Sequence, residues 1–148
     1  MLRITRFGWM AAALAATAPL FAGGFWLQMG TADASPEAKA RNAALVIRAT
    51  GCHDPATAQI SGIAIWTVDG NRRSAALKLV PLKEHGAYTV QRDWPSDAAV
   101  TLEFVGHEPP GLTTSMLVRA RGSSIDKGSA KFYPHEPTPA EEMALAAR

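Results

Sequence analysis

A lone cysteine, Cys52, occurs in 148 residues, so the chain has no second thiol with which to close an internal disulfide. Packing alone must hold whatever it folds into. Neither sign of charge is in excess: 15 basic and 13 acidic residues leave a formal +2. That is too balanced to imply the strongly basic face that nucleic acid or an acidic bilayer would require. Absent too are the G-x-S-x-G, H-E-x-x-H and glycine-rich phosphate-loop patterns, along with C-x-x-C, H-x-x-x-H and any methionine cluster. The chain thus carries none of the marks of hydrolases, zinc peptidases or nucleotide-binding enzymes, and it reads as a non-enzyme. No internal repeat is present.

What is present begins with an address. Arg3 and Arg6 precede an uncharged, mostly apolar run from Trp9 to Leu27, the order of a secretory signal. Ala32 and Ala34 supply small residues for a signal peptidase, which places cleavage after Ala34 and residues 1–34 in the signal. The competing reading is a retained membrane anchor, because a span takes roughly 20 apolar residues. Alanine, glycine and Pro19 in the run argue against it, since they contribute little transfer free energy. Either way the remainder is translocated, to the periplasm or the exterior. The arginines are not adjacent, which leaves a twin-arginine route unsupported, and Cys52 is too distant to be a lipoprotein cysteine. Removing 34 of the 148 residues leaves 114, enough for one domain with a real core.

Residues 35–43 are alanine-rich and charged without a clear period, and read as a flexible leader. From Ala44 short β-favouring runs recur between Gly, Pro, Asp and Asn clusters: Leu45–Arg48, Ile60–Val68, Ala75–Leu82, Ala87–Trp94, Ala99–Val105 and Ser115–Arg121. Side chains alternate across a strand, so Val100, Leu102 and Phe104 share one face and Thr101 and Glu103 the other. Ile60–Val68 is apolar on both faces, which predicts a central strand. Asp69-Gly70-Asn71 predicts a tight hairpin, Glu84-His85-Gly86 and Pro95-Ser96-Asp97 further turns, and Gly106–Gly111 an exposed, proline-stiffened loop. Phe132-Tyr133-Pro134 would add a short edge strand. Thr138-Pro139-Ala140-Glu141 is a capping box with proline at the first helical position, opening a short helix in the tail 135–148. The expected fold is all-β: an antiparallel immunoglobulin-like β-sandwich of about six to seven strands over residues 44–134, with a short C-terminal helix.

Cys52 and His53 form the one cluster with metal-ligating chemistry. On a strand they would face opposite ways, so only a turn lets them act together, and Gly51 with Asp54-Pro55 predicts that turn. A thiolate and an imidazole joined by His107, or by His135 or Met116, would suit copper or zinc. The competing reading is a small buried thiol beside a solvated histidine. Nucleophilic use of Cys52 would need a base within hydrogen-bond reach, which adjacency does not supply. Trp66 and Trp94 would serve a stacking platform but, at strand spacing, read as core. Arg72, Arg73, Arg119 and Arg121 read as solvated sheet-edge charges.

Gly86 and Tyr88 after a turn, followed by Trp94-Pro95 before the next strand, resemble the YtkA-like and FixH-like group of small extracytoplasmic immunoglobulin-like domains. The likeness covers Arg72 to Val105. It implies a sandwich outside the cytoplasm and, for some members, copper handling or oxidase assembly. The chain also looks like small exported bacterial proteins with Gly51-Cys52-His53 and Gly111-Leu112-Thr113-Thr114-Ser115 stretches. The functional expectation is an exported, non-catalytic binding or accessory module for an unknown protein or small ligand, without nucleic acid and touching a membrane only through an uncleaved N-terminal segment. The alternative is a copper- or zinc-handling protein using Cys52 and His53, with His107.

Overall fold

The computed structural model describes residues 24–51 and 53–147, so Cys52 and most of the expected signal lie outside the described residues. Among the described residues nine strands form two antiparallel sheets packed face to face. One sheet has four strands, in the order β1 (Trp26–Gly30), β2 (Leu45–Thr50), β6 (Ala87–Val90), β5 (Leu79–Pro81). The other has five, β4 (Asn71–Ala76), β3 (Gln59–Val68), β7 (Ala99–Glu108), β8 (Leu112–Arg121), β9 (Ser124–Tyr133). The expected β-sandwich is what the chain forms.

Alternation builds its core. Val100, Leu102 and Phe104 of β7 and Met116, Val118 and Ala120 of β8 face inward and meet Leu45 and Ile47 of β2 and Val90 of β6. β3 lies between β4 and β7, the central position its two apolar faces predict. The Asp69-Gly70 turn after it has positive φ at both residues, 50° and 77°, the conformation a two-residue hairpin needs.

Three expectations change. The run Ala75–Leu82 is not one strand: β4 ends at Ala76 in the five-stranded sheet and β5 begins at Leu79 in the other. Leu77 is buried at the crossover, where its amide donates to the Gly62 carbonyl at 2.9 Å. Residues 35–43 are not a flexible leader. Ser35 caps a short helix, α1 (Pro36–Ala40), whose Ala38 is fully buried. Arg41 donates to the Pro81 carbonyl, and Glu37 accepts from the Lys83 amide, tying α1 to the end of β5.

The third change matters most. The sandwich does not start at residue 44, because Trp26–Gly30, assigned by sequence to the signal, pairs along its whole length with β2. Leu27 is 1% exposed and belongs to the core. It sits against Gly106 of β7, where a Cβ would lie only 2.9 Å from Leu27 and 3.0 Å from the Phe25 ring, so β1 can pack there only because position 106 has no side chain. Cleavage after Ala34 would remove a core strand.

The capping box forms as expected. Thr138 accepts from the Glu141 amide, and the Glu141 carboxylate accepts from the Thr138 amide at 2.7 Å, starting α2 (Pro139–Ala146). The helix docks: Leu145 is buried, and Arg72 of β4 holds Glu142 at 2.8 Å. It lies on the outer face of the five-stranded sheet, touching β7 and β8.

Candidate functional site

Three places combine exposure, charge or unusual burial. The first is one side of the sandwich, where among the described residues β1 ends one sheet and β9 the other. Between them runs a groove of about 680 Å³, lined by Trp26, Leu27, Met29, Met116, Ala130 and Phe132, with Gln28 and Lys127 supplying its polar atoms. Trp26 is 39% and Phe132 56% exposed, large aromatic faces left in water at the rim. Such a volume and lining are those of a small-molecule site. β9 is bent here. Its pairing with β8 slips between Leu117 and Arg119, and the Ser129 hydroxyl bridges the gap, accepting from the Arg119 amide at 2.8 Å and donating to the Asp126 carbonyl at 2.7 Å.

The second place is the turn after β2. Gly51 has a φ of 70°, and a Cβ there would collide with the Gly24 carbonyl and the Trp26 ring, so glycine is required. Glu108, at the end of β7, anchors the far side of this turn. Its Oε1 accepts from the backbone amides of His53 and, at 3.2 Å, Asp54. The Gly106–Gly111 connection was expected to be exposed, yet β7 runs on to Glu108 and that carboxylate is 3% exposed. His53 itself is exposed. His107 faces the other side of β7 from Glu108, with Nδ1 3.1 Å from the Thr113 hydroxyl and Nε2 3.6 Å from Glu136. The strand therefore separates His107 from the His53 backbone. Among the described residues no three His, Cys, Asp or Glu side chains converge on a point where an ion would sit. His135, the other candidate ligand, turns to Glu141 and to the Glu136 carbonyl, and Met116 lies in the core.

The third place lies beneath α2. Glu103 projects from the outer face of β7, and its Oε2 is sealed from solvent with no hydrogen-bond partner. Burial, and then the neighbouring Glu142 carboxylate, push its pKa up to about 7; Arg72 pulls the other way, while Glu136 adds to the rise. Below about pH 4.5 folded and unfolded chains both hold the Glu103 proton and the site costs nothing; between about 4.5 and 7 the unfolded chain releases it while the folded one keeps it, so stability falls across that window and stays low above about 7. Glu103→Gln is therefore expected to stabilise the protein above neutrality by about 1–2 kcal/mol, a figure reduced for the half-solvated setting, and to do little at pH 4. Thermal melts at pH 4, 6 and 8 check this, and an equal effect at all three would contradict it.

The sandwich and its capped helix were legible in the sequence, whereas Trp26, Phe132, Glu103 and Glu108 were not singled out there as site residues. The residues that carried the likeness to small extracytoplasmic domains have structural work: Gly86 has a φ of 74°, the Tyr88 hydroxyl donates to the Ala58 carbonyl, and Trp94 Nε1 donates to the Gly122 carbonyl at 3.1 Å. Trp94 is core, and Trp66 packs against the core cluster. Compared with family models, curated proteins and solved structures, the chain matches none.

Proposed function

We propose that this chain is an exported, non-catalytic binding module whose ligand enters the groove between β1 and β9. One observation carries the reading: two sheet edges that, among the described residues, flank a cavity of about 680 Å³ whose lining is almost wholly apolar. Water in contact with Trp26 and Phe132 is unfavourable, so any occupant that displaces it gains free energy roughly in proportion to the apolar area covered. Export is supported by Arg3, Arg6 and the apolar run behind them. Delivery is then to the periplasm or beyond. The absence of catalysis is supported by placement: the carboxyl shifted toward neutrality, Glu103, lies under α2 and not in the groove.

Native mass spectrometry of the protein recovered from the compartment that receives it tests this. The expected spectrum contains a bound ligand that Phe132→Asp removes. A ligand retained undiminished by Phe132→Asp would reject the groove as its site, and a stoichiometric metal ion lost on Cys52→Ser would replace this reading with metal handling.

A further inference from the structure

We propose that the groove between β1 and β9 takes a single-chain anionic amphiphile, with its tail along Trp26, Met29 and Phe132 and its head at Lys127. This rests on the groove being the binding surface.

Four observations select that ligand class. The cavity of about 680 Å³ lies within the range of roughly 300–1,000 Å³ that encloses small molecules. Leu27 and Met116 close its floor from the core side, and the accessible lining is Trp26, Ala130, Phe132 and Met29, whose unbranched side chain adapts to a flexible chain without a fixed shape of its own. Lys127 is the one charged side chain among the described residues lining it, so a complementary head is anionic. The edges themselves disfavour the other occupant such a seam would suit, an added peptide strand. β1 is only five residues long, and β9 carries a bulge beside Asp126–Ser129 and presents Lys127 and Lys131, features that blunt strand addition. A ligand without backbone groups to pair meets no such obstacle.

The full chain, recovered as the cell processes it and identified by intact mass, is titrated with dodecanoate and with dodecanol of equal length, following tryptophan emission. Saturable blue-shifted emission is expected with both, and the carboxylate should bind about fivefold more tightly, the scale of one solvent-facing ion pair. Lys127→Glu should abolish or invert that preference while dodecanol affinity stays unchanged. Phe132→Asp should weaken both by about tenfold or more, because a charge then stands on the apolar rim. Its parent residue is 56% exposed, so the thermal midpoint should hold and separate lost binding from lost folding. Equal affinity for the two probes with a silent Lys127→Glu would overturn the anionic assignment. A native ligand that Phe132→Asp removes, together with no dodecanoate binding, would overturn the amphiphile and leave the binding-module reading standing. No native ligand and no binding of either probe would end both. Failure of both probes on protein whose mass still includes residues 1–23 would assign the groove to the chain's own N-terminal segment and likewise overturn the proposal.

Discussion

A chain that begins at Ser35 is expected to lose its cooperative thermal transition. β1 contributes the five-residue ladder to β2 and the side chain of Leu27, which is 1% exposed in the centre of the core. Truncating a buried leucine to alanine typically costs about 2–5 kcal/mol. Removing the strand deletes Leu27 entirely, opens the β2 edge and uncovers Gly106 and Met116, against a total stability of roughly 5–15 kcal/mol for a domain. Leu27→Asp in the full chain should act almost as strongly, through an unpaired charge in an apolar site. Circular dichroism melts of both variants test the claim. The same geometry bears on processing: an exported, cleaved form should start at or upstream of Phe25, and Ala22 and Gly24 supply small residues at the two positions a peptidase reads before that bond. A processed protein that starts at Ser35 and melts cooperatively at the same temperature would show that β1 is dispensable.

Why β1 escaped notice in the sequence is a matter of competing signals. Trp26-Leu27-Gln28-Met29 continues a run of alanine, glycine and leucine that has the composition of an export signal, and four residues are too few for alternation to stand out. β9 was hidden for a different reason. Asp126, Lys127, Gly128 and Ser129 interrupt its apolar period because the strand is bulged there and wet at the edge, so only its end, Phe132-Tyr133, read as extended. β2, β3, β7 and β8 were legible because both flanks of each are paired and the inward side chains had to be apolar to fill the space between sheets. For α1 the cues were present in Ser35-Pro36-Glu37, a cap followed by proline and an acid, but a helix of five residues has no period to detect. The two acids of interest were illegible in principle. Glu103 reads as the solvent side of a strand until α2, starting 36 positions later at Pro139, covers it. Glu108 reads as a loop acid, and its partners, the amides of His53 and Asp54, are 55 and 54 positions away.

Glu108→Ala is accordingly expected to destabilise the protein by about 3 kcal/mol, since a hydrogen bond to a charged group contributes roughly 1.5–3 kcal/mol and two amides lose their acceptor together. For a domain of this size that loss lowers the thermal midpoint by roughly 10–15 °C. Glu108→Gln keeps a neutral acceptor oxygen and should cost less, about 1 kcal/mol. The effect is local before it is global. With the carboxylate gone, the amides of His53 and Asp54 should exchange with solvent well ahead of the β7 and β8 ladder, because Gly51, already in the left-handed region, and Pro55 leave the turn few other tethers to β7. Hydrogen exchange resolved to residues 53 and 54, alongside melts of the two variants, checks both parts. If those amides stay protected in Glu108→Ala, the turn is held from its other side, where Pro55 meets Gly86 and the Tyr88 hydroxyl reaches the Ala58 carbonyl. The anchoring assigned to Glu108 would then belong to the β5–β6 hairpin.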